Sequence, residues 1–163
     1  MPSKFRSRKP WREKLEKPNV DLPKICSVPP MWRRRFGSGK MVIAHPLDVD
    51  ALVRRVRPGR VVTQAQLRER LARKYRVDHA CPLTTGIFVR IVSEVAEEDR
   101  RAGKKKIAPY WRVLRDDGSL NEKFPGGTAA QARRLRQEGF AIVKGPGKRP
   151  PRVRYFARAL AKL

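Results

Sequence analysis

Ile107-Ala108-Pro109-Tyr110-Trp111-Arg112-Val113-Leu114, followed by Asp116-Asp117-Gly118-Ser119-Leu120 and then Pro125-Gly126-Gly127, is the stretch on which the fold of this chain turns. A short apolar run with a proline ahead of it, an aromatic pair in its middle and a glycine turn behind it predicts a strand leading into a site-forming loop. Alternation along a strand puts Tyr110 and Trp111 on opposite faces, so only one of the two faces a ligand. Either these rings line a pocket with their flat faces and a hydroxyl, or Trp111 is core packing and Tyr110 a rim residue.

Upstream of this stretch the apolar spacing is helical. After Pro46, Asp48 can cap a helix whose Val49, Leu52, Val53 and Val56 share one face, and Pro58-Gly59 ends it. Thr63 and Gln66, three apart and just ahead of Leu67, Leu71 and Tyr75, form the capping-box pattern that opens a second helix. A turn through Val77–Pro82 precedes a third, in which Ile87, Phe88, Ile91, Val92 and Val95 make an apolar stripe. Helix, short turn, helix in a basic chain is the helix-turn-helix arrangement, with the second helix laid in a groove. Its exposed contacts are expected from Thr84, Thr85 and Arg90, with the acidic end at Glu94, Glu97, Glu98 and Asp99 pointing away from DNA. Gly103 closes that helix and Lys104-Lys105-Lys106 begins a basic link.

Downstream, Thr128 and Gln131 repeat the capping spacing and open a helix with Ala132 and Leu135 inward, which Gly139 stops. Phe140–Val143 then predicts a short strand. A stiff loop carrying Lys148, Arg149 and Arg152 follows before Val153-Arg154-Tyr155. Strand, basic loop, strand after a helix-turn-helix is the pattern of a wing that touches the phosphate backbone.

Pro109-Tyr110-Trp111-Arg112-Val113 resembles the PCHRV motif of the alkylguanine-DNA alkyltransferases, whose Cys takes the alkyl group off a damaged guanine. The register extends over roughly residues 41 to 145. Arg57–Gln64 resembles the segment entering the first helix of the family's DNA-binding motif, and Gly86 matches the glycine of its recognition helix. Gly126-Gly127 match the paired glycines after the site, and Glu138-Gly139 the end of the next helix. Tyr110 stands in the place of the acceptor Cys and Trp111 in that of the His that activates it. A transferable alkyl group needs a strong nucleophile, and a phenol with an ordinary pKa of about 10 is not one at neutral pH. The resemblance therefore implies the alkyltransferase-like branch, which binds alkylated DNA without repairing it.

On that resemblance Pro109, Tyr110, Trp111, Arg112 and Ser119 are expected to line a lesion pocket, with Tyr110 the residue that faces the ligand. DNA contacts are expected from Thr63, Gln64, Leu83, Thr84, Thr85, Gly86, Arg90, Lys104, Lys105, Lys148, Arg149 and Arg152. Two positions depart from the family. Its Arg that enters the base stack is Leu83 here, either an apolar wedge between base steps or a buried leucine. Its phosphate-rotating Tyr is Gln64.

The composition fits such a partner. Lys plus Arg number 40 against 15 Asp plus Glu in 163 residues, a formal charge of +25. A field of that size attracts a polyanion through counterion release, so double-stranded DNA, alkylated or not, is the expected ligand and RNA an alternative. No stretch approaches the roughly 20 apolar residues of a membrane span. The N-terminus lacks the apolar core of a secretory signal. A cytoplasmic protein is expected, nucleoid-associated in a bacterium and nuclear or organellar in a eukaryote, acting as a monomer. Cys26 and Cys81, with His45 and His79 as possible helpers, have no zinc-binding spacing and predict two free thiols and no metal. No cofactor is implied.

Residues 1–40 hold twelve lysines or arginines, three acids and six prolines with almost no apolar periodicity. They predict an extended basic arm, with residues 1–24 a disordered, phosphate-seeking tail. Trp32 and Phe36 either stack on exposed bases or staple the arm to the domain. The expected fold is mainly α with small β (α+β). It is a winged helix-turn-helix-like domain over residues 41–163, with a basic C-terminal wing and tail, carrying the arm in front.

Overall fold

The computed structural model describes residues 8–18 and 20–163. Their order is α1 (Trp11–Glu16), β1 (Lys24–Ser27), α2 (Pro30–Phe36), β2 (Lys40–Ile43), α3 (Pro46–Arg54), β3 (Val62–Thr63), α4 (Gln64–Lys74), β4 (His79–Ala80) and α5 (Pro82–Arg101). A 3-10 turn at Tyr110–Arg112 leads into β5 (Val113–Leu114), α6 (Gly127–Gln137), β6 (Ile142–Val143) and β7 (Arg152–Val153), and a second 3-10 turn covers Phe156–Ala159. The mixture of helices with small sheets is the α+β class the sequence predicts.

The helices form where the apolar stripes fall. Val49, Leu52, Val53 and Val56 are buried, as are Leu67 and Leu71 of α4 and Phe88, Ile91, Val92 and Val95 of α5, all in one cluster. Thr63 and Gln66 make the reciprocal capping box at α4. The α3 cap differs from the expectation. His45, one residue before Pro46, is the N-cap, its Nδ1 accepting from the Leu47 N–H at 3.0 Å, while Asp48 is the third-position partner reaching back to the His45 N–H. At α6 the predicted cap is overturned. Gly126 precedes the helix in the left-handed region with no side-chain cap, and Gln131 is buried elsewhere.

The arm is also corrected. Residues 1–7 and 19 lie outside the described residues, but 8–18 and 20–40 are built into the domain. Leu15 of α1 is 4% exposed and belongs to the main core, where α1 lies on α5 and α3. Arg12 is bound to Asp99 of α5. β1 pairs antiparallel with β2, Lys24 opposite Ile43 and Ser27 opposite Lys40, and β2 pairs parallel with β4 through Met41–His79 and Val42–Ala80. Thus the segment read as an extended arm supplies an edge strand and two helices. Prolines and cations hid it, because its apolar residues are single anchors with distant partners rather than a stripe.

A second core, Val61, Leu114, Leu120, Ala132, Leu135 and Val153, lies under α6 and the β6–β7 pair. Trp111 packs against both cores and joins them. β6 and β7 are antiparallel, Ile142 opposite Val153, so the strand, basic loop, strand expectation is met as a hairpin. The C-terminal segment is tied back by Val61, which donates to the Ala159 carbonyl at 2.9 Å and accepts from the Ala161 N–H at 2.8 Å.

Candidate functional site

The Pro109–Leu114 segment is a tight turn before it is a strand. The Arg112 N–H returns to the Pro109 carbonyl at 3.1 Å, and only Val113 and Leu114 pair, in parallel with Val62 and Thr63 of β3. The expected strand alternation therefore does not apply to Tyr110 and Trp111. Tyr110 is 2% exposed, its ring edge-to-face with Trp111 at 5.5 Å and Phe124 at 5.2 Å between centroids. Its hydroxyl donates to Glu97 Oε1 at 2.7 Å. Tyr110 therefore presents no open ring face to a ligand.

The other expected pocket residues are equally occupied. Pro109 is buried. Arg112 is buried with its Nε 3.0 Å from both oxygens of Glu138 and its Nη1 donating to the Val56 carbonyl at 2.6 Å. Half-buried Trp111 donates from Nε1 to Glu138 at 3.1 Å, under the Arg134 guanidinium 4.3 Å from its ring. Ser119 is buried in the Asp117–Gly118 turn, its N–H on Asp117 Oδ1 at 3.0 Å. Pro109, Tyr110, Trp111, Arg112 and Ser119 come together as packing around a polar knot, which corrects their assignment as an open lesion pocket.

Glu97 is the centre of that knot. Read as part of an acidic end pointing away, it is instead 6% exposed, held by Tyr110, by Arg134 at 2.6 Å and by Arg100 at 2.7 Å. Burial works against its charge, yet the Tyr110 and Arg100 hydrogen bonds and the Arg134 charge outweigh it and hold the carboxyl below its ordinary range. Asp99 is likewise held low, burial being outweighed by Lys104 and Arg12. The Tyr110 phenol is pushed well up by burial and by the Glu97 carboxylate it binds.

A pH dependence follows from these shifts. Carboxyls with folded pKa values below the ordinary 4.5 of Glu97 and 3.8 of Asp99 lend stability that is present above those values. It is lost as pH falls through the folded values, because the unfolded chain takes up the protons first. The melting temperature should hold steady down to roughly pH 5 and drop steeply between there and pH 2. A flat profile over that window would rule out the ion-pair network as a source of stability.

The DNA-contact expectations divide. Thr63 is buried as the α4 cap. Thr84 and Thr85, expected exposed, are buried too, Thr85 donating from Oγ1 to the Cys81 carbonyl at 2.7 Å. Arg90 lies over the Trp11 ring at 5.5 Å and so faces α1. Lys104 is engaged by Asp99 at 3.1 Å. Gln64 and Gly86 do meet: a Cβ on Gly86 would lie 3.6 Å from Gln64 Oε1, so the start of α4 touches the first turns of α5. Leu83 is 58% exposed, at the second residue of α5. Lys105, Lys148, Arg149 and Arg152 are exposed, the last three on the β6–β7 hairpin and its loop.

The thiols and imidazoles are each employed separately. Cys81 is buried, its Sγ accepting from the Thr84 N–H at 3.5 Å as the α5 cap. His79 places Nε2 3.2 Å from the Ser38 carbonyl oxygen and His45 caps α3. Among the described residues no three His, Cys, Asp or Glu gather as a metal site, and no helix is long and apolar enough to cross a membrane.

Sequence reasoning missed one concave feature. A cleft of about 210 Å3 opens between α2 and α4, with Trp32 and Phe36 on one side, Ala72 and Arg68 on the other, and His79 and Pro82 at its end. The i, i+4 spacing of Trp32 and Phe36 behind the helix-starting Pro29-Pro30 was the available signal. No protein-family model matches the chain, and no match emerges among curated proteins or solved structures.

Proposed function

We propose that this chain is a non-enzymatic DNA-binding protein of the alkyltransferase-like type, a winged helix-turn-helix module that docks the start of α5 on a duplex and favours alkylated or otherwise distorted guanine sites. The observation that carries this reading is Leu83. It projects 58% exposed from the first turn of α5, ahead of buried Thr84 and Thr85 and within a chain of formal charge +25. An apolar side chain held at a helix tip can enter a weakened base step, and distortion lowers the cost of that entry. The exposed cations of the β6–β7 hairpin supply the phosphate contacts of a wing.

Tyr110 has no transfer chemistry to offer in this arrangement. Its phenol is buried and kept protonated, and Cys81 has no base beside it. Discrimination is assigned to Leu83 and not to a ring stacking on the lesion. Burial of Tyr110 also favours a second reading, a general nucleic-acid binder of DNA or RNA that keeps the fold without lesion recognition.

Competition binding at one salt concentration separates the two. Duplexes containing an alkylguanine or a mismatch should bind several-fold tighter than the plain duplex. Leu83→Ala should erase that preference while leaving plain-duplex affinity in place. Equal affinities for all duplexes in the wild-type chain would establish the general binder instead.

A further inference from the structure

We propose that the α2–α4 cleft is a second nucleic-acid site, one that takes a single unpaired base from a single strand. The inference rests on the nucleic-acid reading above and concerns residues that reading does not use.

The cleft has the size and lining for a flat ring. Its volume of about 210 Å3 falls below the roughly 300–1,000 Å3 of sites for drug-sized ligands. Trp32 and Phe36 form its wall, edge-to-face at 6.4 Å and 77°. Val28 and Met41 beneath them are buried, and the opposite helix presents Ala72, whose small side chain leaves the space between the helices open. Both rings are only half-buried, so stapling the arm does not consume their faces. Trp32 packs on the Val28, Met41 and Cys81 cluster and still lines the cavity with Phe36, so stapling and stacking are compatible.

Charge on the helix beside the opening favours an anionic ligand. Arg33, Arg34 and Arg35 are exposed on α2, which has no acid in its first turn, and Arg35 lies 5.2 Å from the Phe36 ring. Two acids line the cleft itself: Glu69, paired with Arg73 at 3.3 Å, and Asp78, which accepts the backbone N–H of Lys40 at 2.9 Å. Arg68 is held at the rim by Asp116 at 2.8 Å. A ring-lined slot beside a helix carrying three exposed arginines, in a chain of formal charge +25, suits a base flanked by phosphates, since stacking is indifferent to sequence and cations track the backbone. An apolar peptide side chain would fit the slot but leave those arginines unmatched.

The site is also preformed. Gly39 has φ +117°, and a Cβ there would lie 2.3 Å from Asp78 Oδ2, so the loop after α2 is drawn against the residue that precedes β4. Pro82 closes the end of the cleft one residue before Leu83, which sets a single-strand site beside the duplex-facing helix tip.

The test uses the full chain with oligonucleotides carrying one 5-bromouracil, as single-stranded DNA and as single-stranded RNA, with an intact DNA duplex in parallel. Irradiation followed by peptide mass mapping should place the crosslink on Trp32 or Phe36. Trp32→Ala should weaken single-strand binding about tenfold and leave duplex affinity unchanged, Trp32→Phe should restore it, and Leu83→Ala should leave single-strand binding as it is and remove only the preference for distorted duplexes. Phe36→Ala provides a second variant should Trp32→Ala melt early. Whether the DNA or the RNA strand crosslinks better identifies the source of the base. Crosslinks elsewhere, or single-strand affinity indifferent to Trp32→Ala and Phe36→Ala in folded protein, would overturn the site while leaving duplex binding standing. Failure of the wild-type chain to bind any oligonucleotide would remove the functional reading and this one together.

Discussion

Glu97→Gln is expected to destabilise the chain by about 3 kcal/mol, near the lower end for breaking a buried ion pair by removing one partner. For a chain of this size that lowers the melting temperature by about 6–12 °C. Glu97 is the common acceptor of the Tyr110 hydroxyl at 2.7 Å, Arg134 at 2.6 Å and Arg100 at 2.7 Å. An amide keeps the shape but loses the charge, so the partly buried Arg134 is left without its counter-ion over Trp111. Tyr110→Phe removes one hydrogen bond to a carboxylate and keeps the ring among Trp111 and Phe124, and should cost about 1.5–2 kcal/mol. The ranking is the content of the expectation. Denaturant titration giving Tyr110→Phe the larger loss would mean that the phenol, not the carboxylate, anchors the knot. The same contacts explain why Tyr110 does not swing out to meet a ligand: leaving would break the knot and open the main core at once.

Duplex affinity should fall steeply with salt. A protein that neutralises six to ten phosphates loses roughly 10^3 to 10^5 in affinity between 50 and 200 mM salt. Forty basic residues, with Glu97, Asp99 and Glu138 turned to internal partners, give this chain the surface for it. Replacing Arg149 and Arg152 together by Ala should reduce the slope of log affinity against log salt by about two, one for each phosphate contact removed. Both side chains are exposed on the β6–β7 hairpin and its loop, clear of the cores, so folding should be untouched. Fluorescence anisotropy over a salt series measures the slope. A shallow wild-type slope would contradict a phosphate-driven mode, and an unchanged slope in the double variant would remove the hairpin from the interface.

Much of what the chain specifies locally was legible, the caps of α3 and α6 and the Tyr110–Arg112 turn excepted. The stripes of α3, α4 and α5, the Thr63–Gln66 box, and the glycines at 103 and 139, both with positive φ just past a helix, are short-range devices and fall where the spacing put them. The basic hairpin was legible for the same reason. What escaped was polar chemistry completed by distant partners. Gln131, three residues after Thr128, resembles a capping residue, yet it accepts the Asn121 N–H at 2.8 Å and donates to the Trp111 and Val113 carbonyls at 3.1 Å. It brackets the turn carrying Tyr110. Glu97 looked solvent-facing because its partners Tyr110 and Arg134 lie 13 and 37 residues away. For Leu83 the sequence left a wedge and a buried leucine both open, and the packing of Thr84 and Thr85 beneath the first turn of α5 leaves it outside.

Because β2 is hydrogen-bonded to β1 on one side and to β4 on the other, the α2 segment and the tip of α5 share one small sheet. On the nucleic-acid reading proposed above, they form a gauge of fixed span rather than two independent grips. A polycationic tail that wraps its ligand must be ordered at the moment of contact, whereas here that ordering is completed when the chain folds. Calorimetry of complex formation should therefore register the modest heat-capacity change of surfaces meeting, without the large one that accompanies a segment folding onto its target.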